Sequence, residues 1–363
     1  MSKRPVLRLL VLLLSALLSG ISQQITAQSE LTTQYGFFPS PPIPTLEAIL
    51  QHFADMGEHA DFVLSQPNIP WEDFLQGVDV DSQLRQDMRN LETLSQMNHL
   101  GVVYVVDPLN GLNRREFSGL PADWEASFAN PDVRTAFSNF AVWIAREFQP
   151  EYLGLASEIN SYMDAHPDDA ANYLSLYTEV YAAVKAESPE TQVFVTFQWE
   201  DLNNLWQFAA EGRDAYDTNW NQVEMFEPNL DVWAISTYPY VPFPSGTPIP
   251  DDFYSILLEK TDKPLAVSEG GYTARPVGSV IGTPEDQAAF LNAVHDQIGS
   301  RLGFWAYTLL NDIDMESYTE SMQAQGVSAT DINTLGVFQS IGLREVDGTP
   351  RPALTVWDSF RQP

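Results

Sequence analysis

Eight short apolar runs recur along the chain, and each gap between neighbours is wide enough for a helix. They read TQYGFFPS, ADFVLSQP, GVVYVVDP, YLGLASEIN, QVFVTFQWED, DVWAISTYPY, PLAVSEGGY and LGFWAYTLLND. Runs that are apolar at nearly every position suit parallel strands covered on both faces. The intervening segments carry apolar stripes at helical spacing. Leu46, Ile49, Leu50 and Phe53 follow Thr45, whose hydroxyl is placed to cap a helix. Val133, Phe137, Phe140, Ile144 and Phe148 form a second stripe, and Tyr173, Tyr177, Val180, Tyr181 and Val184 a third. Phe290, Val294 and Ile298 form a fourth, behind Thr283 and a proline at the first helical position. Eight strand–helix units in 363 residues predict an α/β fold, a single-domain (β/α)8 TIM barrel. A doubly wound open sheet is the alternative, but no Gly-x-Gly-x-x-Gly or Walker loop follows the first run.

The first residues are a separate object. MSKRPVLRLLVLLLSALLSG has a basic start and then an apolar run broken by small residues, the layout of a secretory signal peptide. Its core of roughly 12 residues falls short of the about 20 that a membrane span needs. We therefore expect a signal peptide over 1–27, cut after Ala27 or Ser22, and a barrel over 28–363. The expected location is secreted, extracellular or periplasmic, with an uncleaved anchor as the alternative. The chain has no cysteine, which excludes disulfides and thiolate chemistry. Its net charge of −31 repels nucleic acid and anionic lipid. The expected partner is a polysaccharide or oligosaccharide. No nucleic acid, no membrane contact after cleavage of the leader, and a monomeric state are expected.

Active sites of such barrels lie at the C-terminal ends of the strands. Glu158 closes the fourth run and Glu269 the seventh. Two carboxylates facing each other across a hollow are what glycoside hydrolysis needs. One protonates the leaving oxygen, while the other attacks the anomeric carbon or activates water. A gap of about 5–5.5 Å gives retention and about 6.5–9.5 Å inversion. Taken singly, each glutamate reads more readily as a helix cap or a salt-bridge partner; it is the matching positions of the two that point to catalysis. The five histidines form no His-x-His or His-Glu-x-x-His pattern, so no metal and no cofactor is expected. No Gly-x-Ser-x-Gly elbow argues for an esterase.

These stretches also carry a resemblance. LGLASEIN resembles the strand-4 motif of the clan A (4/7 superfamily) retaining glycoside hydrolases, and PLAVSEGGY their strand-7 motif. DVWAISTYPY is similar to the strand-6 segment of the endo-β-1,4-galactanase family, and FWAY to the strand-8 tryptophan motif. The resemblance implies Glu158 as acid/base and Glu269 as nucleophile. It implies Tyr238 as the hydroxyl that bonds the nucleophile, and Trp305 as the floor beneath the sugar. Ser157 stands where the clan has asparagine to hold the sugar 2-hydroxyl, with Asn160 as a possible helper. The strand-2 arginine that steadies the nucleophile is missing, and Gln66 and Asn68 stand there instead.

Aromatic residues near the strand ends suit stacking on pyranose faces. Trp199 leads, with Phe37, Phe38, Trp71, Tyr104, Tyr240 and Tyr272 behind it; packing between loops is the other reading. Asp107, Glu200, Asp201 and Asp312 could hold sugar hydroxyls, and a solvated or capping role is an equal reading for each. The expected function is a secreted retaining β-glycosidase acting on a neutral β-linked polysaccharide, a β-galactan, β-glucan or mannan. The alternatives are a catalytically inactive glycan-binding barrel and a transglycosylase on the same scaffold.

Overall fold

Every one of the eight apolar runs becomes a strand of one closed parallel barrel. The computed structural model describes residues 32–77, 83–205, 213–324 and 335–362; the expected leader lies outside them. The barrel strands are β1 Gln34–Phe37, β2 Phe62–Ser65, β3 Gly101–Val105, β4 Tyr152–Gly154, β5 Gln192–Gln198, β6 Val232–Thr237, β7 Leu265–Gly270 and β8 Leu302–Tyr307. They pair in chain order, and β8 closes onto β1 with Phe304 opposite Gln34. The single-domain (β/α)8 barrel is therefore the fold of the described residues.

Helices cross over between the strands, and their ends follow local chemistry. The helix Leu46–His59 begins where Thr45 Oγ1 accepts the Ala48 N–H, and Pro284–Ile298 where Thr283 Oγ1 accepts the Asp286 N–H. Val133, Phe137, Phe140 and Ile144 of Pro131–Phe148 are buried, as are Tyr173, Tyr177, Val180 and Val184 of Pro167–Glu187. No helix among the described residues is long and apolar enough to cross a membrane.

Side chains alternate between two layers, because successive strand residues point to opposite faces. Phe62, Leu64, Val103, Val105, Phe194, Ala234, Phe304 and Ala306 fill the barrel interior. Tyr35, Val63, Leu153, Val195, Trp233 and Val267 face the helices. Interior packing closes the barrel below its mouth, so chemistry is confined to the strand ends.

One element is absent from the expected pattern. Between β3 and the helix Pro131–Phe148, Leu109–Asn110 pairs antiparallel with Asn113–Phe117 to form a hairpin. Phe117 anchors it, lying 4.7 Å from Phe128 and 5.6 Å from Tyr162 between ring centroids.

Candidate active site

Glu158 stands at the turn from β4 into the helix Ile159–Ala165, with φ 54 and ψ 41. That left-handed backbone costs a non-glycine residue about 1–2 kcal/mol. The carboxylate does not cap its own helix. Instead Ser236 Oγ donates to Oε1 at 2.6 Å, and Arg114 Nε donates to Oε2 at 2.8 Å.

Glu269 reaches the same place through an irregularity in β7. Ile235 faces Val267, yet the next residue, Ser236, faces Glu269. One extra residue is thus accommodated on β7. Ser268 points inward, with its hydroxyl 2.7 Å from Thr196 Oγ1. Strict alternation would send Glu269 out to the helices; the slip aims it at the mouth. There the Tyr238 hydroxyl donates to Glu269 Oε1 at 2.5 Å and lies 3.0 Å from Thr308 Oγ1.

Arg114, from the hairpin, joins the two glutamates. Besides Glu158, its Nη1 donates to Asp107 Oδ2 at 2.5 Å, and its Nη2 lies 3.4 Å from Ser157 Oγ and 3.8 Å from Glu269 Oε2. Asp107 is held in turn by Gln66 Nε2 at 2.7 Å and by the Leu109 N–H at 3.1 Å. The Glu158 and Glu269 side chains keep 11% and 15% of their surface exposed. They are mostly desolvated but reachable from the mouth.

Three carboxylates therefore share one cation. Burial, and after it the Glu158 charge, push Glu269 up to about 7, against the pull of Arg114 and the Tyr238 hydroxyl. Arg114 is held above its ordinary value by the surrounding carboxylates, which outweigh its burial.

Behind the pair, Glu200 is fully buried at the end of β5. It accepts from Thr237 Oγ1 at 2.5 Å, Gln198 Nε2 at 2.6 Å and the Tyr238 N–H at 3.2 Å. It thus ties β5 to β6 and fixes the backbone that carries Tyr238. Burial pushes it up to about 7. A carboxylate near 4.5 when unfolded and about 7 when folded binds more protons in the folded state between those values, so its contribution to stability falls as pH rises from about 4.5 to about 7. A shift of this size corresponds to on the order of 3 kcal/mol. Urea unfolding at pH 5 and pH 8 should show Glu200→Gln losing less stability than the wild type across that interval. Equal losses in both proteins would contradict the assignment.

Among the residues expected to bind sugar, Ser157 and Tyr238 lie beside the carboxylates, and the other three do not. Asn160 is fully buried, and its amide is spent on the Gln198 backbone, which it bonds at both ends, at 3.1 and 2.8 Å. Trp199 is fully buried, donates to the Phe253 carbonyl at 3.1 Å, and packs on Trp220 and Phe253. Trp305 lies on the outer face of β8 among Tyr35, Trp357 and Phe360, not under the mouth. The reason is alternation: Phe304 and Ala306 take the interior positions. Asn160, Trp199 and Trp305 are thus corrected to structural positions. Phe37 and Tyr104 also pack outward, Phe37 on Trp357 and Tyr104 on Phe148.

Tyr240 does reach the site. It packs 5.8 Å from Tyr238 between ring centroids, and burial and then the charges of Glu200, Glu269 and Glu158 raise its phenol. Phe38 packs on the interior cluster. Asp312 is consumed by Arg351, with Nη2 at 2.5 Å, and Asp201 by Ser161, also at 2.5 Å. Arg114 was not foreseen. The Asn110-Gly111 dipeptide, a strong hairpin signal, was the available cue to the element that carries it.

No protein-family model matches the chain, and no curated protein matches it in sequence. Solved structures do match in fold. The exo-β-1,4-mannosidase Op5Man5 from Opitutaceae bacterium strain TAV5 is similar at TM-score 0.61 and 14% identity, over 91% of this chain and 59% of its own. This chain thus spans less than two thirds of that enzyme's length. A GH5_18 protein from Bifidobacterium longum subsp. longum aligns at TM-score 0.65 and 14% identity, over 92% of this chain and 80% of its own. Fungal β-1,4-galactanases align at TM-score 0.56 and 14% identity, over 90% and 99%. At such identities, what the chain shares with these glycoside hydrolases is the barrel.

Proposed function

We propose that the protein is a secreted retaining β-glycosidase acting on a neutral β-linked glycan. The observation that carries this reading is the meeting of Glu158 and Glu269, from the ends of β4 and β7, on one guanidinium at the barrel mouth. Glu158 serves as the acid that protonates the glycosidic oxygen. Glu269, oriented by the Tyr238 hydroxyl, attacks the anomeric carbon. The bond to the leaving oxygen breaks as the carboxylate–carbon bond forms. Esterified Glu269 carries no charge, so Glu158 can then accept a proton from the attacking water, and the sugar leaves with its β configuration restored.

The substrate class follows the neighbours' own names. Two of them are a β-1,4-mannosidase and a β-1,4-galactanase, and related structures hold Manβ1-4GlcNAc. We infer a β-mannoside or β-galactan, with β-glucan next. The test is a panel of aryl β-glycosides and β-linked polysaccharides, with the first anomer formed read by proton NMR. Cleavage with the β anomer appearing first is expected. Cleavage with the α anomer first would exclude the covalent route. One observation favours a second reading, an inactive glycan-binding barrel: Arg114 is bonded directly to the proposed acid. Glycan binding without cleavage anywhere in the panel would establish it.

A further inference from the structure

Arg114 does something that no barrel strand supplies. It is a mostly buried cation delivered from outside the barrel, its side chain 10% exposed, and its fork is divided among carboxylates from three strands. Nε holds Glu158 at the end of β4, Nη1 holds Asp107 just past β3, and Nη2 faces Glu269 on β7. Burying a guanidinium is costly unless each N–H meets an acceptor, and burying three carboxylates around an empty centre would cost more.

The hairpin does not need Arg114 in order to stay in place. Phe117 packs on Trp71, Phe128 and Tyr162, and Trp71 Nε1 donates to the Ser118 carbonyl at 2.8 Å. His166 Nε2 lies 2.7 Å from the Arg115 carbonyl, and the Ser118 N–H bonds the Pro108 carbonyl at 2.9 Å. The frame is apolar and backbone-bonded, and Arg114 reaches inward from it. Gln66, at the end of β2, contributes no charge; it bonds Asp107 and so orients the carboxylate that orients Arg114.

We propose that Arg114 is a positioning residue for the glutamate pair: the hairpin brings it over the mouth as their shared counter-charge, fixing Glu158 and Asp107 directly and screening Glu269 across the gap. This rests on the reading of Glu158 and Glu269 as the working pair. The charged groups that face Arg114 are Asp107, Glu158 and Glu269. Behind them stand Glu200 and Asp201 from the end of β5, with Arg115 alongside on the hairpin. The phenols of Tyr238 and Tyr240 are held above their ordinary value by burial, so they stay neutral through the range tested. The pH response of the cluster therefore comes from carboxylates.

The role makes a claim that simple packing does not. Without Arg114, the clustered carboxylates repel one another only while they are ionised. The melting temperature of Arg114→Met should fall close to that of the wild type at pH 5, where protons replace the lost cation, and the gap should widen steadily to pH 8. In Arg114→Ala, free guanidinium chloride at about 10 mM, far below denaturing levels, should bind the vacated site and narrow the gap at pH 8, since a ligand specific to the folded state stabilises it by mass action. Arg114→Lys keeps a charge but loses the fork, so its gap should lie between those of the wild type and the methionine variant.

Kinetics on an aryl β-glycoside are read from the same samples. Arg114→Met should lose about 100-fold in kcat with KM changed less than about threefold, and guanidinium should restore part of the kcat of Arg114→Ala. A melting gap that is constant from pH 5 to pH 8, with no response to guanidinium, overturns the proposal. So does failure of both Arg114→Met and Arg114→Lys to fold at pH 5, because the apolar frame should suffice there. If the wild type cleaves nothing in the panel while the pH-dependent gap and guanidinium response appear, the hydrolase reading fails and the role of Arg114 as counter-charge stands. If the wild type cleaves and the gap stays flat, the reverse holds.

Discussion

Glu269→Gln should lower kcat on an aryl β-glycoside by about 10,000-fold or more, because it replaces the carboxylate that the proposed double displacement uses as nucleophile with a far weaker amide. Unfolding would not be the cause. The Glu269 carboxylate is pushed up to about 7 by burial and the Glu158 charge, so its ionised form costs stability above that pH. The amide should therefore melt no lower than the wild type at pH 8. Glu158→Ala should behave differently on the same substrate. An activated phenol leaves without an acid, so the first step survives; hydrolysis of the intermediate then lacks its base and kcat falls about 100- to 10,000-fold. Azide needs no base. It should restore turnover in Glu158→Ala and give the β-glycosyl azide. In Glu269→Ala it should attack from the vacated nucleophile's side and give the α-glycosyl azide. If azide gave the same anomer in both variants, the division of labour between β4 and β7 would be wrong.

Trp305→Ala should cost about 3–5 kcal/mol in urea unfolding, the loss typical of deleting a fully buried large aromatic. Trp305 has no exposed surface and lies within 6.3 Å of Tyr35, 5.3 Å of Trp357 and 6.0 Å of Phe360 between ring centroids. Its indole N–H has no hydrogen-bond partner among the described residues. Trp305→Phe, which removes that group and keeps a ring, should cost only about 1–2 kcal/mol. For the fraction that remains folded, KM should stay within about twofold of wild type. A sugar-binding floor would show the opposite pattern, with little loss of stability and a large rise in KM. Titration of unfolding by fluorescence, paired with initial rates, separates the two.

Trp305 also shows where the sequence was readable and where a motif misled. The run LGFWAY alternates, and Phe304 and Ala306 are the residues that suit a barrel interior; period two alone puts Trp305 outside. The resemblance to a tryptophan motif pulled the other way. All eight strands were legible, because a parallel strand buried on both faces must be apolar throughout and so stands out from amphipathic helices. The helix starts at Thr45 and Thr283 were legible as well, since an N-cap needs a side-chain oxygen at one position.

Glu158 and Glu269 were found as polar residues at the ends of apolar runs. Their meeting follows from equivalent strand-end positions in a barrel, but the backbone that achieves it was not readable: a left-handed turn at Glu158 and a register slip in β7. Neither leaves a mark in composition, and strict alternation predicts the wrong face for Glu269. Asn160 looked like a sugar ligand by proximity to Glu158. Which partner an asparagine amide finds is a tertiary matter, and here the Gln198 backbone takes both ends. Arg114 lies on no barrel strand, and the sequence marks its hairpin only through Asn110-Gly111 beside it.

The most direct measurement is to trap the glycosyl-enzyme. A 2-deoxy-2-fluoro β-glycoside with an activated leaving group, matched to the best sugar in the panel, slows both steps, because fluorine disfavours the oxocarbenium-like transition state and removes the 2-hydroxyl contact. The double-displacement mechanism predicts inactivation with release of one leaving group per protein, and a fluoroglycosyl mass on the peptide that contains Glu269. An adduct on another residue, or turnover of the parent glycoside with no adduct and an α product, would contradict it.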